Sequence, residues 1–172
     1  EELYGRTGIQ FMRFNTLFQL FYLKKFMPHL LEQADKMLLM PDLLAYFLTG
    51  EKKTEYTIAS TSQMINAETG DWDRELLDRL GIPSSILTDI CEPGTINGYL
   101  RDSICEELGC KKVPVISVCG HDTASAVAAV PARDEDFIYI SCGTWSLFGT
   151  EAKKPVINDS AYLFQFTNEG GY

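Results

Sequence analysis

Three adjacent residues, Gly120-His121-Asp122, set an imidazole beside a carboxylate where the apolar run VPVISV (113–118) gives way to the small-residue run TASAVAAV (123–130). β-branching makes the first run a strand, the second reads as a helix, and the triplet between them is a tight turn. A carboxylate at the C-terminal end of a strand, beside a helix N-terminus, sits where α/β folds place ligands. There Asp122 can accept a proton from a substrate hydroxyl. The plainer reading makes it the N-cap of the following helix, worth about 1 kcal/mol. His121 suits a hydrogen bond to a ligand hydroxyl better than metal ligation, because the only other histidine, His29, is remote in the chain. Cys119, His121 and Asp122 together suggest thiol chemistry, but sequence neighbours on one turn do not reach triad geometry.

A second turn, Cys142-Gly143-Thr144, joins two β-rich runs, FIYIS and WSLFG, into a hairpin. Successive backbone N–H groups in such a turn form an anion nest, and a threonine hydroxyl can donate to a phosphate oxygen. Gly143 and Thr144 are therefore candidate phosphate contacts, although glycine in a hairpin turn is also ordinary. Neither a GxxxxGK[ST] loop nor a GxGxxG fingerprint occurs. A binding or assembly module without catalysis thus stands beside the enzymatic reading.

The elements that must position these turns are mostly helical. Asn15 and Thr16 offer N-cap chemistry to LFQLFYLKKFM, with Leu17, Leu20 and Phe21 at helical spacing. Pro28 ends that helix or begins the next, HLLEQADKMLL. PDLLAYFLTG is punctuated by Pro41, Asp42 and Gly50, and DWDRELLDRLG by early acids and Gly81. TEYTIASTSQMI is ambiguous between helix and extended chain. CEPGTINGYL predicts a turn and a short strand, and DSICEELG a short helix. The small-residue helix after Asp122 predicts close packing on a neighbour. The polar connector PARDED separates this helical part, residues 1–131, from the hairpin-bearing part, residues 132–172.

Composition narrows the partners. The 172 residues carry 24 acidic against 15 basic side chains, a net charge of −9, which argues against nucleic acid. No apolar run approaches the roughly 20 residues of a membrane span, and no secretion signal opens the chain, so a cytoplasmic protein is expected. Its five cysteines form an odd set without a CxxC pair, which predicts buried, reduced thiols rather than disulfides or structural zinc.

TGIQFMRFNTLFQL (7–20), GHDTASAV (120–127), YISCGTWSLFGTE (139–151) and FTNEGG (166–171) resemble, in order, the rhamnulokinase branch of the FGGY carbohydrate kinases. The resemblance runs over nearly the whole chain. PDLLAYFLTGE and PGTINGYL are general to the family, whereas TGIQF…FNTL and GTWSLFG are more specific to that branch. It implies an α/β protein of the actin-like ATPase (ribonuclease H-like) fold, with a sugar cleft between two domains. Residues 1–131 would be the later part of the N-terminal sugar-binding domain, and residues 132–172 the opening hairpin of the C-terminal ATP-binding domain. The implied reaction moves the γ-phosphate of ATP, with Mg²⁺, to the 1-hydroxyl of L-rhamnulose. Asp122 would be the base, His121 and Thr123 sugar contacts, and Thr144 with Gly143 a phosphate contact; no residue is assigned to metal. L-fuculose or xylulose as acceptor, or a silent actin-like domain, are the rival readings. The family's Asp-Gly-Thr-like phosphate loop and glycine-rich adenosine loop are missing, so the piece alone is expected to be inactive. Its uncovered hairpin is expected to drive self-association.

Overall fold

Four of the described helices stop at a glycine that turns left-handed, Gly8, Gly50, Gly81 and Gly109. The computed structural model describes residues 1–134 and 136–170. Glu135 of the polar connector, and Gly171 and Tyr172 at the end, lie outside the described residues. Helix α1 (Glu2–Thr7) is followed by α2 (Thr16–Phe26), α3 (Pro28–Gln33) and α4 (Met40–Thr49). Gly50, at φ 83°, closes α4 by donating its N–H to Tyr46 O, as the sequence predicts. Strand β1 (Lys53–Glu55) runs directly into α5 (Tyr56–Ser60), which resolves the ambiguous TEYTIAS stretch as a strand–helix junction. Helix α6 (Arg74–Leu80) starts on Asp73, whose carboxylate accepts from Leu76 N, and ends at Gly81, φ 68°. After β2 (Asp89–Cys91) come β3 (Ile96–Tyr99), α7 (Asp102–Leu108), β4 (Pro114–Ile116) and α8 (Asp122–Ala128). The hairpin β5 (Tyr139–Cys142) and β6 (Ser146–Gly149) precedes a short α9 (Asp159–Leu163).

The described strands pair in twos. β1 lies parallel to β2, β3 antiparallel to β4 with a register shift between Ile96 and Gly98, and β5 antiparallel to β6. The core gathers Leu17, Leu20, Leu31, Met64, Trp72 and Leu77 with their neighbours, between α2, α3, α6 and the loops around them. Trp72 is fixed there by donating its indole N–H to Thr88 O at 2.8 Å. Arg6 grips Asp73 with two hydrogen bonds of 2.7 Å, tying α1 to the start of α6.

The C-terminal segment folds back onto the N-terminal one. Tyr4 donates to Phe166 O at 3.0 Å, Gln10 to Tyr162 O and Phe166 O, and Asn168 N–H to Gly8 O at 2.9 Å. The rings of Tyr4 and Tyr162 stand 5.2 Å apart. These bonds join stretches about as far apart in sequence as the chain allows.

Four sequence expectations change. Helix α3 ends at Gln33 rather than continuing to Leu39, because Met37 N–H donates to Ile86 O and Lys36 Nζ to Ser85 O and Leu87 O. Those bonds hold residues 34–39 extended against the 84–87 turn. Phe21 faces outward, whereas Leu17 and Leu20 are buried. Helix α8 buries none of its residues fully, and Thr123, Ala124 and Val127 are half-buried beside the hairpin, so the close packing expected of its small face is only partial within this chain. The five cysteines are free, but three are only half-buried and Cys110 and Cys142 are exposed.

Candidate functional site

The Gly120-His121-Asp122 turn is held from beneath by the β1–α5 junction. Glu55 ends β1 and caps α5, its carboxylate accepting from Thr57 N at 2.8 Å and Ile58 N at 3.3 Å. The same carboxylate accepts from the Thr57 hydroxyl at 2.6 Å and from Gly120 N, across the chain, at 2.8 Å. His121 N–H donates in turn to Thr57 Oγ1 at 3.3 Å. A Cβ on residue 120 would stand 3.1 Å from Glu55 Oε2 and 3.3 Å from both Ile58 and Pro41, so glycine lets the turn close onto its support. Glu55 N–H donates to Asp42 Oδ1 at 3.0 Å, which links α4 to the same junction. Asp42 is buried with its Oδ2 unpartnered. Burial, reinforced by the Glu55 charge and opposed by backbone hydrogen bonds, pushes its carboxyl up to about 6.

Asp122 is not the N-cap. The backbone leaves the helix at His121 (φ −83°, ψ 123°), which places Asp122 in the first helical turn. Its Oδ1 accepts from Thr123 N at 2.7 Å, and 98% of its side chain is exposed. The carboxylate therefore projects outward from the helix start with Oδ2 open. His121 lies between two acids: Nε2 is 3.5 Å from Asp122 Oδ1, and Nδ1 is 3.0 Å from Glu169 Oε2. The Nδ1 approach is short but poorly aligned for a hydrogen bond, so it acts as an ionic contact. Burial disfavours the imidazolium, yet Glu169, with Asp122 and Glu55 adding, outweighs it and raises the His121 pKa above the ordinary value.

Glu169 arrives on the folded-back C-terminal segment. Its neighbour Gly170 donates its N–H to Ser60 Oγ at 2.7 Å, at the end of α5. Thr123, Tyr139, Thr150, Glu151 and Glu169 line a cavity of about 120 Å³ between α8, the hairpin and this segment. The structure thus brings Thr123 into one cleft with the base of the β5–β6 hairpin, His121 touches that cleft only through its contact with Glu169, and Asp122 stands outside its lining. At the hairpin's other end Cys142 pairs with Ser146, so the turn comprises Gly143, Thr144 and Trp145. Gly143 N–H is spent inside that turn, donating to Trp145 O at 2.8 Å, so the expected nest has one donor fewer. Thr144 is exposed at the tip, and nothing lies within 4 Å of where a Gly143 Cβ would stand. The rings of Trp145 and Phe14 are 6.5 Å apart.

As site residues, sequence reasoning passed over Glu55, Thr57 and Glu169, and it read Asp42 only as the acid at the start of its helix. Glu55 had a signal, an acid followed by Thr57 at a strand–helix junction, but its bond to Gly120 spans 65 positions and leaves no local trace. Among the described residues no group of three or more His, Cys, Asp or Glu side chains converges as a metal site. We assign Mg²⁺ no ligand in this chain. No helix among the described residues is long and apolar enough to cross a membrane.

Residues 1–129 match the N-terminal domain of the FGGY family of carbohydrate kinases, and the chain belongs to that family. Its fold is the α/β actin-like ATPase fold of those kinases. Among individual relatives, the chain is 51% identical over 170 residues to a rhamnulokinase of Bacteroides thetaiotaomicron, covering 99% of this chain and 35% of that protein. It is 48% identical over 171 residues to a rhamnulokinase of Oceanobacillus iheyensis, covering 99% and 36%. The chain therefore spans about a third of the length of the curated relatives it matches. Among solved structures it resembles a ligand-bound xylulose kinase from Lactobacillus acidophilus, with TM-score 0.79 and 27% identity over 93% of this chain and 33% of that one. A gluconate kinase from the same organism gives 0.78 and 26%, over 93% and 32%. The resemblance read from TGIQF…FNTL, GHDTASAV and GTWSLFG is borne out at the level of the rhamnulokinase branch.

Proposed function

We propose that this chain is the acceptor-side part of a sugar kinase that transfers the γ-phosphate of ATP to the 1-hydroxyl of L-rhamnulose. The observation that carries the reading is Asp122 itself. Its carboxylate is fully presented at a helix start, one oxygen held by Thr123 N–H and the other open to a ligand. In the transfer, Asp122 accepts the proton of the sugar hydroxyl as its oxygen bonds to the γ-phosphorus. The bond from that phosphorus to the β,γ-bridging oxygen breaks, and ADP leaves. His121 and Thr123 flank the acceptor as hydrogen-bond partners. Thr144, exposed at the hairpin tip, donates to a phosphate oxygen, and Gly143 leaves room for its approach. Mg²⁺ supplies charge neutralisation on the phosphates when bound, through groups that are not assigned here.

On this reading residues 1–131 belong to the sugar-binding domain and 132–172 begin the ATP-binding domain. Five free cysteines and the acidic composition suit a cytoplasmic enzyme of small molecules rather than of nucleic acid. The 172 residues alone are expected to be inactive, and the test uses a protein carrying them at the length of its relatives. ADP release is measured with Mg-ATP and L-rhamnulose, L-fuculose, D-xylulose or glycerol. Turnover confined to L-rhamnulose supports the reading, and preference for another acceptor moves the substrate but keeps the kinase. Absence of turnover from a folded protein makes it a silent binding domain. Asp122→Asn should lower kcat by roughly 10²–10⁴-fold with sugar binding retained; near-normal kcat would remove Asp122 from the base role.

A further inference from the structure

We propose that Glu55 is a positioning residue for the reaction, aiming Asp122 by holding the backbone of the turn that carries it. The inference rests on the reading of Asp122 as proton acceptor. Capping α5 requires only the donors Thr57 N and Ile58 N. Two further bonds reach beyond the cap: Gly120 N–H donates directly to Glu55 Oε2, and His121 N–H is reached through the Thr57 hydroxyl. One buried carboxylate thereby fixes both residues immediately before Asp122. Asp122 has little other support. Beyond Thr123 N–H, a long 3.5 Å approach of the Thr123 hydroxyl and the His121 contact, its side chain is in the open, so its direction follows the backbone beneath it. Glu55 is held in its turn by Asp42 Oδ1 on its own N–H, with its residue 4% exposed. Gly120 completes the fit, since a Cβ there would crowd Oε2 at 3.1 Å.

The isosteric Glu55→Gln replaces one acceptor oxygen by an NH₂ group. In either orientation that group faces an N–H donor, because Thr57 N addresses Oε1 while Gly120 N and Ile58 N address Oε2. The experiment measures kcat and KM for the sugar in the full-length protein carrying this chain, with wild type, Glu55→Gln, Glu55→Asp, Thr57→Val and Asp122→Asn in parallel. Hydrogen exchange of the Gly120 and His121 amides is followed alongside. A displaced catalytic group of this kind costs up to about 10²-fold. Glu55→Gln should therefore lower kcat roughly ten- to a hundredfold while KM changes by less than about threefold. Its Gly120 amide should lose protection, and Glu55→Asp should recover part of both. A folded Glu55→Gln protein with wild-type kcat, or with kcat and KM displaced together and the Gly120 amide still protected, overturns the proposal. Should Glu55→Gln not fold, Thr57→Val decides it, with lower kcat and faster His121 amide exchange expected and unchanged kcat overturning it. If Asp122→Asn keeps its kcat, the base assignment fails. If only that variant is impaired, the base stands and the positioning role falls.

Discussion

At the residue scale the site is a small set of acids in unlike surroundings. Asp122 is in solvent, Asp42 is buried and Glu55 is buried but saturated with donors, so three carboxylates within one local structure serve different ends. His121 records the balance between them. Burial alone would favour its neutral form, and Glu169 is what lifts its pKa. Glu169→Gln should therefore lower the His121 pKa, measured from its ring proton shifts by NMR titration. Because the folded-state pKa is raised, charged His121 contributes stability that is fully present below the unfolded value near 6.5 and is lost as pH rises through the folded one. The Glu169→Gln protein should lack that decline. An unchanged titration would mean that the two side chains do not interact in solution.

At the element scale, short helices and strands gain their places by exchanging caps. α5, five residues long, could not persist alone. It is held by the Glu55 cap, and it then supports the Gly120 turn and, through Ser60, the C-terminal segment. α4 enters this junction through Asp42, whose carboxyl pKa of about 6 lies well above its unfolded value near 3.8. The folded state thus binds the extra proton. Stability from this group is greatest below about pH 4, falls as pH rises towards 6 and levels above it, a total on the order of 3 kcal/mol. Asp42→Asn should abolish that slope in urea midpoints taken between pH 4 and 7. A variant with the same slope as wild type would place the titration elsewhere.

At the scale of the whole molecule, the main apolar cluster lies before residue 91, and the later described elements lean on it mostly through hydrogen bonds, with Ala161 and the Tyr4–Tyr162 ring contact adding apolar burial. The β5–β6 hairpin shows the consequence. Ile140 pairs with Phe148 across it, and both are exposed together with Trp145. An uncovered apolar ribbon with open edges pairs with another chain. The isolated 172 residues should self-associate, and Phe148→Lys should shift them towards monomer in sedimentation velocity. A monodisperse wild-type monomer would show that this face is tolerated in water.

Much of this architecture is local and was therefore legible. Proline, an early acid and a terminal glycine bound α4, glycine closes α6, and β-rich runs on either side of Gly143 make a hairpin, because caps and turns depend on neighbouring residues. The GHD triplet marked its own strand–turn–helix for the same reason. What no local pattern could show was the partner of each piece. The end of α3 is decided by carbonyls of the 84–87 turn, the burial of Glu55 by a backbone N–H 65 positions away, and the His121–Glu169 contact by a C-terminal segment that returns to α1. Sequence alone determined the family resemblance and which turns, helices and strands the candidate residues begin or end. Only the tertiary structure decided what holds them, since a buried carboxylate is satisfied by whichever donors the fold delivers to it.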